Sequence, residues 1–225
     1  MIAYDRQTYN APNPLARLAH RSRFGVADRL IGDYLQPNGS MLDFGCGDGR
    51  MLVKIREVYP DAELFGFEPI MKDESGGAYR HFSSEELMRS RKYDLITAFE
   101  VLEHLELEEI EGFVRLLKEN LAENGVVLVS VPIMLGPVLI PKVFNAQVIR
   151  KTTWRYSAKE LISAAFFLGS VPRYKGKGYL THKGFDWREV RDRLARELLL
   201  EKEEFSPFPW LPWGLNSQWF GVFRG

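Results

Sequence analysis

Apolar residues recur at helical spacing across residues 14–35, at Leu15, Leu18, Ala19, Val26, Leu30 and Leu35. Pro14 suits a first helical turn and QPNG (36–39) stops the helix. Short apolar runs follow. SMLDF (40–44) predicts a buried strand, RMLVKIREVY (50–59) a helix ended by Pro60-Asp61, and AELFGFEP (62–69) a second strand. AYRHF (78–82) predicts a third strand and EELMRS (85–90) a short helix. YDLITAFEVL (93–102) opens as a strand and turns helical from Glu100 or Glu103, with Phe113, Leu116, Leu117 and Leu121 on recurring faces. ENGVVLVSVP (123–132) is a turn and a strong strand. Strands that alternate with helices predict parallel βαβ units, and near-continuous apolar strands fit a sheet covered on both faces.

The rhythm breaks after Pro132. A segment punctuated by Pro and Gly runs to about residue 185 and holds one clear helix, SAKELISAAFFLG (157–169), opened by a Ser157/Glu160 capping box. DWREVRDRLARELL (186–199) predicts an amphipathic helix. LLEKEEF (199–205) and QWFGVFR (218–224) predict two strands joined by the aromatic loop SPFPWLPWGLNS.

Composition narrows the class. The 225 residues, 45% hydrophobic, suffice for one domain of generous size. Thirty basic and thirty acidic residues balance, so the chain as a whole gives no signal for nucleic acid or membrane. Locally the balance fails. Between Ile133 and Lys183 stand Lys142, Arg150, Lys151, Arg155, Lys159, Arg173, Lys175, Lys177 and Lys183 against Glu160 alone, a formal charge of +8. The single cysteine, Cys46, cannot make an internal disulfide, and MIAYDRQTYN lacks the apolar core of a signal peptide. The apolar stretch VPIMLGPVLIP (131–141) is too short to cross a bilayer. These features predict a cytoplasmic protein with no stable membrane insertion.

The candidate chemistry begins at MLDFGCGDGR (41–50), which sets Gly45, Gly47 and Gly49 on alternate positions after an apolar run. Glycine inside an element costs about 0.5–1 kcal/mol against alanine, so three together imply a sharp turn and close approach of another group. A strand, glycine turn and helix form a nucleotide-approach geometry. The dinucleotide fingerprint spaces its glycines G-x-G-x-x-G; here the spacing is G-x-G-x-G, with Asp43 two residues before the first. This motif resembles the first motif of class I S-adenosylmethionine-dependent methyltransferases. Three further features carry the same resemblance: Glu68 at the end of LFGFEP, YDLITAFEVLEHL with its Asp opening a strand and E-V-L-E-H after it, and the two C-terminal strands. The likeness covers residues 40–132 well, is looser over 186–224, and is absent over most of 133–185.

The resemblance implies a Rossmann-like α/β fold: seven strands, mostly parallel, helices on both faces, an N-terminal helix and an inserted lid before the last helix. One methyltransferase domain would span 1–225, with a helical segment (1–39), a cofactor-binding core (40–132), the lid (133–185) and a C-terminal helix and hairpin (186–225). It implies that Asp43, Gly45, Cys46, Gly47 and Gly49 receive S-adenosylmethionine, that Glu68 accepts the ribose hydroxyls, that Glu100 lies near the methionine part, and that S-adenosylhomocysteine leaves as product. Ser83 and Ser84 stand where the family meets the adenine, and equally read as a helix N-cap.

On the acceptor side, Glu100, Glu103 and His104 stand at i, i+3 and i+4, which gathers them on one face if the helix has begun by Glu100. E-x-x-E-H is similar to a pattern with which small-RNA 2′-O-methyltransferases hold a divalent ion, together with a later histidine such as His182 of THKGFDW. The same pattern occurs in relatives without a metal, so no metal is assigned, and His104, His182 and Glu103 are the catalytic candidates. The +8 segment favours a small anionic acceptor, phosphorylated or sugar-linked, with oxygen the favoured atom and an RNA end the weaker alternative. The chain would act as a monomer or homodimer. Two rival readings are a catalytically silent S-adenosylmethionine-binding subunit and an NAD-dependent oxidoreductase, the latter disfavoured by the glycine spacing.

Overall fold

The computed structural model describes residues 14–70, 77–149, 155–176 and 179–225. Of the basic residues named above, Arg150, Lys151 and Lys177 lie outside these, as does MIAYDRQTYN. The chain forms α1 (Pro14–Tyr34), β1 (Ser40–Phe44), α2 (Arg50–Val58), β2 (Glu63–Phe67), β3 (Arg80–Phe82), α3 (Glu85–Met88) and β4 (Tyr93–Phe99). Then come α4 (Leu107–Asn120), β5 (Leu121–Pro132), α5 (Leu139–Phe144), α6 (Ala158–Ala165), β6 (Lys175–Gly176), β7 (Tyr179–Leu180), α7 (Trp187–Leu194), β8 (Leu199–Ser206) and β9 (Gln218–Arg224).

Seven strands form one mixed sheet in the order β3-β2-β1-β4-β5-β9-β8, and its β3–β2, β2–β1, β1–β4 and β4–β5 pairings are parallel. This is the Rossmann-like sheet expected from the alternating pattern. The order reverses beside β1, so the carboxyl ends of β1, β2 and β4 meet where open α/β sheets place ligands.

The described residues fall into two compact units. One, the sheet unit, comprises the described residues of 32–131, 188–203 and 220–225; the second comprises those of 14–31, 132–187 and 204–219. In the sheet unit, Leu42, Leu95, Ile96, Val127, Leu128, Phe113 and Leu117 are fully or almost fully buried. Each such side chain contributes about 1.5–3 kcal/mol relative to exposure. α4 starts on a capping box, in which Glu106 accepts from the N3 backbone and its own N–H donates to Glu109 at 2.7 Å.

The second unit is built around aromatic rings. Trp187 meets Phe205, Trp213 and Trp219 at centroid distances of 5.4–5.6 Å. Buried Asn216 organises the 207–217 loop: its Oδ1 accepts from the Phe208 N–H at 2.7 Å and its Nδ2 donates to the Phe208 carbonyl at 2.9 Å. The capping box at α6 forms as expected, with Ser157 Oγ accepting from Glu160 N–H and Ser157 N–H donating to Glu160. α5 and the hairpin β6–β7 are additional to the one helix expected between 133 and 185.

Candidate active site

The turn after β1 is tied to the end of β2: the N–H groups of Gly45 and Cys46 both donate to the Phe67 carbonyl, at 2.8 and 3.1 Å. Gly45, Gly47 and Gly49 all adopt left-handed backbone, with φ of 77°, 55° and 71°. Their surroundings separate their roles. A Cβ on Gly45 would stand 2.4 Å from a Val101 methyl, and one on Gly49 2.0 Å from the Tyr79 hydroxyl. A Cβ on Gly47 would meet nothing within 4 Å. Gly45 and Gly49 are therefore required by neighbours within the fold, whereas Gly47 opens onto free space.

Asp43 is 4% exposed, and its Oδ1 accepts from Thr97 Oγ1 at 2.7 Å. Burial pushes its carboxyl up to about 7; the nearby negative charge of Glu68 adds to the rise and the Thr97 hydroxyl opposes it. Glu68 closes β2 and is half-buried. Its N–H donates to the Phe82 carbonyl, its own carbonyl meets His81 Nε2 at 3.1 Å, and Oε1 accepts from the Ile70 N–H. The residue is thus held at both its backbone and its carboxylate. Cys46 is buried, and burial pushes its thiol up to about 12.

The expected helical face of Glu100, Glu103 and His104 does not form. Glu100 takes a left-handed φ of 60° and its N–H donates to the Ser130 carbonyl. One 3₁₀ turn, Leu102–His104, follows, and the α-helix begins only at Leu107. The cause is local. β5 captures the Glu100 N–H, Val101 packs on Gly45, and the helix capped by Glu106 begins only at Leu107, not at Glu100 or Glu103. The 3₁₀ turn leaves Glu103 wholly buried and His104 half-exposed, with 3.9 Å between Glu103 Oε1 and His104 Nε2.

His182 belongs to the second unit, in a loop held on both sides. Thr181 donates through N–H and Oγ1 to the Tyr174 carbonyl, and the Gly184 N–H donates to the Tyr156 hydroxyl at 3.1 Å. Lys183 pairs with Glu160 at 2.8 Å and holds that carboxyl below its usual range. Ser84 stands at the N-cap of α3 without a side-chain capping bond.

Thr97 and Tyr79 were not among the candidates. Thr97 was signalled by being the one hydroxyl in the apolar run DLITAF; nothing in the sequence marked Tyr79.

The methyltransferase domain family matches residues 15–167, more than half of the chain. The chain belongs to this family. It is a class I S-adenosylmethionine-dependent methyltransferase, and S-adenosylmethionine is its cofactor. No curated protein matches the methyltransferase. Among solved structures it is similar in fold to PH0226 from Pyrococcus horikoshii OT3, with a TM-score of 0.60, 12% identity and coverage of 99% of this chain and 96% of that one. It is also similar to the 1,6-didemethyltoxoflavin-N1-methyltransferase of Burkholderia thailandensis, solved with 1,6-didemethyltoxoflavin and S-adenosylhomocysteine: TM-score 0.57, 14% identity, 96% of this chain and 83% of that one. A third is a candidate O-methyltransferase from Nostoc punctiforme PCC 73102: TM-score 0.53, 16% identity, 94% of this chain. The methyltransferase spans 57% of the length of that last protein. Among the described residues, no helix is long and apolar enough to cross a membrane.

Proposed function

We propose that this methyltransferase binds its cofactor across the turn at Gly45–Gly49, with residues 40–132 as the cofactor-binding core, and passes the methyl group to a small anionic acceptor. The observation that carries the reading is the free space at Gly47, in a turn that follows Asp43 of β1 and is tied to Phe67, the residue before Glu68. The residues fit the cofactor. A nucleoside can lie against backbone that has no Cβ, a paired ribose diol suits a fixed carboxylate, and a cation suits the buried Asp43. Glu68 would accept the ribose hydroxyls, and Glu100 would lie near the methionine part.

When bound, S-adenosylmethionine supplies a methyl group on a sulfonium, a good leaving group that departs as the neutral thioether. The protein's work is then to hold the acceptor in line and keep water out. We assign His104, His182 and Glu103 to the acceptor side. For an oxygen acceptor, a histidine there would take the hydroxyl proton as the bond to carbon forms. The +8 charge of residues 133–183 supports an anionic acceptor, phosphorylated or sugar-linked.

Calorimetry with S-adenosylhomocysteine tests the cofactor reading. Glu68→Ala should weaken binding roughly 100-fold, from the loss of two hydrogen bonds to a charged group. Unchanged affinity would overturn the ribose assignment.

A further inference from the structure

The exposed phenylalanines and tryptophan among the described residues, Phe144, Phe166, Phe167 and Trp210, all lie in the second unit. They are gathered around one point. α5 packs against α6, and the Val138 N–H, at the start of α5, donates to the Gly214 carbonyl at 3.1 Å. Gly136 and Gly214 approach so closely that a Cβ on Gly136 would stand 2.8 Å from Gly214 Cα. The Phe167 ring meets Trp213 edge-on at 5.1 Å. α5, the turn after α6 and the 207–217 loop therefore present their outer residues together.

That turn is backbone-strained. The Leu168 N–H donates to the Ser163 carbonyl at 2.8 Å across Phe167, which takes a left-handed φ of 60°. Glycine ordinarily fills this position, and a bulky residue there is a genuine outlier. The strain is kept, and it turns Phe166 and Leu168 outward at 60% and 71% exposure. Across from them the loop that Asn216 organises holds Trp210 at 76% exposure. Ile140 and Phe144 extend the surface along α5, and Ile162 extends it along α6 in line with exposed Lys159.

Exposed rings and aliphatic side chains gathered from three segments mark an interaction site. Its setting selects the partner: the described part of the segment that supplies α5 and α6 carries Arg155, Lys159, Arg173 and Lys175, besides Lys142, which is bonded within the fold, and the Lys183–Glu160 pair. A second copy of the chain would set those like charges against each other. Outward Trp, Phe and Leu beside Lys match an interface with an anionic bilayer, where rings enter the headgroup region and cations meet lipid phosphates.

We infer that the surface around Phe166, Leu168 and Trp210 docks this methyltransferase peripherally on anionic membranes. The inference draws on the same basic segment as the acceptor reading, and its test involves no acceptor. Flotation with vesicles of phosphatidylcholine, with and without 30 mol% (about one lipid in three) phosphatidylglycerol, tests it. The full chain should float with the anionic vesicles and stay behind with the neutral ones. The double substitution Phe166→Ser/Leu168→Ser should reduce the floated fraction at least about ten-fold, and Lys159→Glu roughly five-fold. Calorimetry of both variants with S-adenosylhomocysteine should match the unmodified chain, which separates loss of docking from loss of the cofactor site. No flotation of the unmodified chain, or variants that float equally, would overturn the inference. So would sedimentation showing a dimer that the double substitution dissolves, since a second copy would then cover the surface.

Discussion

β1 and β4 run side by side, and each end of the pair carries an aspartate in a different situation. At their amino ends, exposed Asp94 accepts from both the N–H and the Oγ of Ser40, each at 2.8 Å. Three residues on, at the carboxyl ends, Asp43 is buried with the Thr97 hydroxyl against it, and its carboxyl is pushed up to about 7. The first aspartate fastens two strands and is satisfied by the fold. The second is costly to the fold by itself, and the cost makes sense beside a glycine turn with open space at Gly47. Stability was given up at one end of the strands and kept at the other.

Asp43→Asn should give the largest effect. Folding raises this carboxyl from 3.8 to about 7, so the folded chain holds its proton longer than the unfolded one. Stability of the unmodified protein should therefore fall as pH rises from about 4 to about 7, by an amount on the order of 4 kcal/mol. In urea titrations Asp43→Asn should be the more stable protein at pH 8, with the gap closing toward pH 4, while binding S-adenosylhomocysteine more weakly. A gap that does not change with pH would break the contrast between the two ends.

Gly49→Ala comes next. It places a Cβ against the Tyr79 hydroxyl in left-handed backbone, and should cost about 3 kcal/mol in denaturant titrations. Gly47→Ala meets no neighbour, so only its backbone conformation is penalised, at about 1 kcal/mol. Its effect should instead appear as weaker S-adenosylhomocysteine binding. Asp94→Ala should be the mildest, losing about 1 kcal/mol of stability with cofactor affinity intact. If Asp94→Ala impaired binding as much as Gly47→Ala did, the division of labour between the two ends would be wrong.

The cofactor end was legible because backbone demands write themselves into residue type. Three left-handed positions favour glycine, and a strand's last residue is marked by the apolar run before it. β1, β2 and β9 were found to within two residues at each end for that reason, whereas β5 begins at Leu121, ahead of the turn expected at residues 123–125. Glu100 was misplaced because periodicity cannot see a neighbouring strand take a backbone N–H. The Asp43–Thr97 pair and the Gly49–Tyr79 contact join residues far apart in sequence, where no local pattern reaches. In the second unit α5 went unassigned because Pro137 and Pro141 interrupt its apolar run, and the turn after α6 has Phe167 where a glycine would have announced it.

The most direct test of the central claim is a crystal structure of the methyltransferase with S-adenosylhomocysteine. The nucleoside should lie against Gly47, with both ribose hydroxyls on the Glu68 carboxylate and the amino end toward Asp43. Density for the nucleoside at another place on the sheet, with the Glu68 carboxylate still accepting from the Ile70 N–H and no ribose, would contradict it.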